Sequence, residues 1–214
     1  DAESVRMSGR VDNRLAWFGV DGYNEVIRNH LQSGGLAAFV EDGWLVLADG
    51  TNSRKLVEVT DVPITFDGVA IYNIRNALGA MLMCHVLGVS DQAIAKGLRQ
   101  FSGDASVNPG RGNLFTKGDI RIFIDFAHNE HGLKAVSETV NAFGAKRNLV
   151  LMGQAGDRGD REIESLVRAA CELKPSPLLV CELPGYERGR EKGVVSSLIE
   201  GYAQQAGVDA GDIW

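Results

Sequence analysis

Asn113-Leu-Phe-Thr-Lys-Gly-Asp-Ile-Arg-Ile-Phe-Ile-Asp-Phe-Ala-His-Asn129 decides the reading of the fold. Two apolar runs, at 113–117 and 120–126, flank Lys117-Gly118-Asp119, which reads as a hairpin turn. The run Ile122-Phe123-Ile124 ends on Asp125, and a helix is expected over 130–143. Beyond it the pattern alternates: a strand at 148–153, a helix at 160–173, a strand at 178–183 and a helix at 194–206. Strands alternating with helices predict an α/β fold with a parallel, Rossmann-like sheet. In such sheets ligands gather outside the C-terminal strand ends. A carboxylate there, Asp125, can accept hydrogen bonds from the hydroxyls of a sugar. His128 and Asn129 follow in the same turn, and Asn129 can equally serve as a helix cap.

Working upstream, residues 1–70 read as short strands and turns. Strands are expected at 15–20, 36–40, 44–48 and 55–59, with Glu41-Asp42-Gly43 as a hairpin turn. Asn73 to Leu87 carries a broad apolar face at helical spacing, with Gly88 as its stop. Ser90 is the expected N-cap of a second helix reaching about Phe101. Residues 102–112 are rich in Gly, Ser, Asn and Pro and read as a linker. Asn73 and Asn76 lie three apart on one helix side. Two carboxamides can read a base edge, since each offers donors and an acceptor; as alternatives, Asn73 caps the helix and Asn76 is solvated.

The remaining signals lie in loops. Pro109-Gly110-Arg111 turns the chain and exposes a guanidinium able to fork onto a phosphate or carboxylate. Gly156-Asp157-Arg158-Gly159-Asp160 follows an apolar strand and reads either as an anion site at a helix N-terminus or as a salt-bridged loop. Tyr186-Glu187-Arg188-Gly189-Arg190 adds two arginines in a Gly-containing loop.

Bulk properties narrow the function. The 214 residues carry 28 acidic and 22 basic side chains, a net charge of −6. That balance argues against a nucleic-acid partner, which is bound by clustered Lys and Arg. Cys84, Cys171 and Cys181 are widely spaced, contain no C-x-x-C, and read as reduced, mostly buried thiols. They supply no metal site. No apolar run approaches the roughly 20 residues that span a membrane, no signal peptide opens the chain, and a cytoplasmic location is expected.

No single motif decides the chemistry, but their order does. Asn73-Ile-Arg-Asn-Ala77 on a helix, then Asn108-Pro-Gly-Arg111, then Asp125-Phe-Ala-His-Asn129 at a strand end resembles the junction of the central and C-terminal domains of the Mur ligase superfamily. Gly156-Asp-Arg-Gly-Asp-Arg-Glu-Ile163 and Tyr186-Glu-Arg-Gly-Arg-Glu-Lys-Gly193 resemble the cyanophycin synthetase branch more than the peptidoglycan-precursor ligases. The resemblance implies that 1–103 is the C-terminal portion of a mixed α/β ATPase domain. Residues 104–112 are then the linker, and 113–214 a Rossmann-like C-terminal ligase domain.

The implied activity is ATP-dependent amide formation between an acid and an amino-acid or peptide-like substrate, through an acyl phosphate. Asn73 and Asn76 match positions beside the adenine. Arg111 matches the arginine that reaches the ribose and phosphates, and Asp125 the ribose-binding aspartate. His128 and Asn129 stand nearest the reacting centre. Asp157, Arg158, Arg188 and Arg190 would face the incoming substrate. No G-x-x-x-x-G-K-[ST] loop occurs in the chain, so the Mg²⁺ ligands are expected upstream. The chain reads as a piece clipped at both ends and inactive alone. Three positions depart from the family pattern: Tyr72 replaces a usual His, Glu130 a usual Pro, and Phe126 a frequent Tyr. The first puts a nucleotide contact in doubt, and the second sets a negative charge beside the site. A non-catalytic Mur-like binding module is the alternative. A plain dinucleotide binder is disfavoured, because Gly153-Gln-Ala-Gly156 lacks the G-x-G-x-x-G spacing.

Overall fold

A computed structural model describes residues 2–214. The chain divides into two compact units that part between Pro109 and Gly110.

The first unit is built on a four-stranded sheet of order β1-β2-β3-β4, with β1 (Ala16–Asp21) parallel to β2 (Leu36–Glu41). β2, β3 (Trp44–Asp49) and β4 (Asn52–Glu58) pair antiparallel. Asp42 and Gly43 both take positive φ, 50° and 78°. That is the backbone a tight two-residue hairpin with the native strand twist demands. Both faces of the sheet are covered. Ala38, Leu45 and Leu47 point into one cluster with Leu78 and Met81. Ala37, Phe39, Val46 and Ala48 point into another with Ile27. Successive side chains of a strand alternate faces, so β2 and β3 are the middle of a sandwich.

The helices of this unit differ from expectation in places. Residues 1–70 contain two helices as well as strands: α1 (Ala2–Ser8) and α2 (Glu25–Gln32). α2 is only two turns long, and its β-branched Val26 and Ile27 blur the helical signal. Asn24 caps it, accepting from the Val26 N–H at 3.0 Å. α3 runs Ile71–Val86, so Asn73 lies in its first turn and Ala70 is the cap residue. α4 runs Asp91–Gln100 and is capped by Ser90, which accepts from Ala93 N–H.

The second unit opens with the antiparallel hairpin β5 (Asn113–Lys117) and β6 (Ile120–Ile124). β6 stops two residues short of the expected end. Asp125 Oδ1 accepts the Ala127 N–H at 2.8 Å, which turns the chain out of the strand. After α5 (Glu130–Ala142) comes β7 (Asn148–Met152), parallel to β8 (Pro175–Val180). β8 begins three residues earlier than the sequence implies. Pro175 and Pro177 read as breakers, yet proline is tolerated at the start of a strand. α6 (Asp160–Cys171) and α7 (Val194–Gln205) cover one face of this pair through Ile163, Val167, Ile199 and Ala203. Ile213 bridges Leu178 in parallel, and Trp214 N–H donates to Leu178 O at 3.0 Å. The architecture is mixed α/β with parallel pairing in both units.

Candidate functional site

In the second unit, four of the residues singled out lie on one pair of turns. The Gly110 N–H donates to Asn113 Oδ1 at 2.6 Å, and the Gly110 carbonyl accepts the Phe126 N–H at 2.8 Å. These two bonds tie the turn carrying Arg111 to the turn that follows β6. The Arg111 guanidinium lies over the Phe126 ring, 5.2 Å from its centroid. The Phe126 ring in turn lies 5.3 Å from that of His128. Asp125 spends one oxygen on Ala127 and keeps Oδ2 unbonded. Arg111, Asp125 and His128 therefore belong to one local constellation.

Asn129 is a cap as well. Its Oδ1 accepts the Gly132 N–H at 2.8 Å at the start of α5, leaving the amide donors for other use. Glu130 turns to Lys134, with 2.7 Å between Oε1 and Nζ. That bond and the lysine's charge hold the Glu130 carboxyl below its ordinary range and push the Lys134 ammonium above its own. The negative charge beside the turn is thus matched by a cation one helical turn on.

The two charged loops interlock beyond the ends of β7 and β8. Arg190 Nε donates to Gly156 O at 2.8 Å, Nη2 donates to Arg158 O at 2.6 Å, and Nη1 meets Asp160 Oδ1 at 2.8 Å. Arg188 Nη1 donates to Asp157 Oδ2 at 2.8 Å while its guanidinium covers Tyr186. The Gly156 N–H donates to Tyr186 O at 2.9 Å. A Cβ on Gly156 would stand 1.9 Å from Glu187 O, so only glycine admits this approach. Of the four residues Asp157, Arg158, Arg188 and Arg190, only Arg158 has a side chain without a partner among the described residues. Nothing in the sequence indicated which cation would be spent on backbone carbonyls.

In the first unit, Asn73 is committed. Its Nδ2 donates to Ile64 O at 2.7 Å, and its Oδ1 accepts from Asn76 Nδ2 at 3.2 Å. Asn73 therefore fixes the short 3₁₀ turn Pro63–Thr65 against α3 and orients Asn76, which is exposed with its carbonyl oxygen unbonded.

Among the described residues no group of three or more His, Cys, Asp or Glu side chains could hold a metal ion. The three cysteines are unpaired and half-buried rather than fully buried, and burial pushes the Cys171 thiol up. Among the described residues no helix is long and apolar enough to cross a membrane.

Residues 110–205 match the family described as Mur ligase, glutamate ligase domain. That stretch holds the whole Arg111–Asp125–His128 constellation.

The chain belongs to the Mur ligase superfamily.

A cyanophycin synthetase of Crocosphaera subtropica is 36% identical over 193 residues, 90% of this chain and 22% of that protein. A cyanophycin synthetase of a Nostoc species is 32% identical over 210 residues, 98% of this chain and 23% of that protein. The chain thus spans under a quarter of the length of these relatives. The crystal structure of MurF from Acinetobacter baumannii shares the Mur ligase fold with a TM-score of 0.53 at 18% identity, covering 93% of this chain and 41% of that one.

Proposed function

We propose that this chain is part of an ATP-dependent ligase that joins an acid to an amino-acid or peptide-like amine. The supporting observation is the Arg111–Asp125 turn inside the matched ligase domain. Arg111 has all its N–H donors unspent, and Asp125 has one unspent carboxylate oxygen. That pair has the chemistry of a nucleotide's phosphate and ribose: a forked cation for phosphate oxygens and an acceptor for sugar hydroxyls. In the first unit taken by itself, Asn76 is oriented by Asn73 and presents a carboxamide with the donors and acceptor that a base edge pairs with. We assign residues 1–103 to the end of the ATPase domain, 104–112 to the linker and 113–214 to the ligase domain.

ATP, when bound, would supply a phosphoryl group to the acid's carboxylate with release of ADP, so that the amine could displace inorganic phosphate and lose a proton to give the amide. The chain's own part is to bind and orient. Arg111 offsets phosphate charge, and Asp125 holds the ribose. To His128 and the Asn129 amide donors we assign the stabilising of developing negative charge. Arg158, whose side chain has no partner among the described residues, is a cation available to an incoming carboxylate. Among the described residues no group of three or more His, Cys, Asp or Glu side chains is available to Mg²⁺.

Glu130 weighs little against this reading, since its charge is met by Lys134. Calorimetric titration of ATP into the 214-residue protein tests it. Arg111→Ala should weaken binding about tenfold, the loss expected for a charge-assisted hydrogen bond, with Asp125→Ala following in the same direction. Identical isotherms for wild type and both variants would reject the assignment. Alone, the chain should form no amide; turnover by the isolated protein would contradict its standing as part of a larger active unit.

A further inference from the structure

Three arginines cover aromatic rings among the described residues, and they differ in what their N–H groups do. Arg121 lies 5.3 Å over Phe143, and its Nη2 donates to the Phe143 carbonyl at 2.6 Å. Arg188 lies 5.4 Å over Tyr186 and donates to Asp157 at 2.8 Å. Both are fastened by ring and hydrogen bond together. Arg111 is held at 5.2 Å by Phe126, and none of its guanidinium N–H groups is donated to another described residue. A cation over a ring face is attracted by the ring's quadrupole and spends no hydrogen-bond donor on it. A long side chain in a Gly-Arg-Gly turn is thereby narrowed in orientation while its whole fork stays available.

Phe126 is also placed to do this. Phe126 is 61% exposed and contributes to no buried cluster, so packing gives no account of a large apolar side chain there. Its backbone N–H donates to Gly110 O at 2.8 Å, next to Arg111. Ring and peptide together clamp one turn to the other. The same ring lies 5.3 Å from His128, so one side chain touches two groups of the constellation.

We propose that Phe126 is a positioning residue that pre-orients Arg111 to receive a phosphate group of the nucleotide. This rests on the nucleotide reading of Arg111 above. An unoriented arginine surrenders rotamer freedom on binding, and an arginine already held over a ring surrenders less. The ring must be aromatic for this; the hydroxyl that a tyrosine would add there is not required.

The test uses the 214-residue protein with ATP as the probe. Affinities are measured for wild type, Arg111→Ala, Phe126→Leu, Phe126→Tyr and the Arg111→Ala/Phe126→Leu double variant. Proton NMR of the Arg111 δ-methylene reports the stacking directly, through the ring-current upfield shift. Phe126→Leu should remove that shift and weaken ATP binding about three- to tenfold. Phe126→Tyr should keep the shift and bind within about twofold of wild type. The double variant should bind no more weakly than Arg111→Ala, because the two residues act as one. If Arg111→Ala weakens binding and Phe126→Leu does not, the positioning role is wrong and the phosphate role of Arg111 stands. Fully additive losses in the double variant would also overturn it. If Arg111→Ala binds ATP as wild type does, the nucleotide reading fails and the proposal fails with it.

Discussion

β3 in the first unit and β7 in the second read alike in sequence, Trp-Leu-Val-Leu-Ala-Asp against Asn-Leu-Val-Leu-Met, yet they live in opposite surroundings. β3 is closed on both faces: Leu45, Val46 and Leu47 are all fully buried. β7 is closed on one. Val150 and Met152 pack against α6 and α7, while Leu149 and Leu151 are 59% and 64% exposed. β6 repeats the pattern, with Ile120, Ile122 and Ile124 all exposed along one face. The contrast teaches that an unbroken apolar run announces a strand without saying how many of its faces are covered. Coverage comes from helices elsewhere in the chain.

Substitutions can break that comparison. Leu47→Ala should be the most costly, about 2–5 kcal/mol, because it empties a fully enclosed site. Urea unfolding followed by tryptophan fluorescence reads it, and a loss under 1 kcal/mol would mean the first sheet is less closed than described. Gly156→Ala comes next, at about 1–3 kcal/mol. The added methyl meets Glu187 O, and amide exchange should show the loosening in the second unit while the first is unaffected. Leu151→Ala should cost less than about 1 kcal/mol, since most of that side chain is already in water. A cost equal to that of Leu47→Ala would erase the difference between the two sheets.

The smallest effect is local. Asp104 accepts from the Ser102 and Ser106 hydroxyls and from backbone N–H groups of 106 and 107, which hold its carboxyl down from 3.8 to about 2. A depressed carboxyl stabilises its turn above its ordinary value and ceases to as pH falls through the folded one. Protection of the Ser106 and Val107 amides should therefore decline between about pH 4 and pH 2. Asp104→Asn should remove that pH dependence without shifting global unfolding.

Much of this architecture was legible in the sequence. The hairpin at Asp42-Gly43, the Ser90 and Asn129 caps and the strand-helix alternation after Asn113 all carry local signals, because turn and cap chemistry is set by neighbours in the chain. α2 was not legible, being two turns long with β-branched residues at its start. The start of β8 was hidden by Pro175 and Pro177. Residue types pointed to Arg111, Asp125 and the two charged loops in the second unit, and to Asn76 in the first. What each donor is spent on was invisible, because it depends on partners 9 to 34 residues away, such as Ile64 for Asn73 and Gly156 for Arg190. Sequence shows which side chains can bind; only the folded chain shows which are still free to.

Arg190 carries a last consequence. Its guanidinium grips two carbonyls and a carboxylate of the opposite loop at once, so the segments after β7 and β8 are geared together. Any displacement of the 156–158 backbone therefore pulls on the segment that carries Arg190. Lysine at this position would keep the charge and uncouple the gears, for one ammonium cannot mesh with three acceptors so disposed.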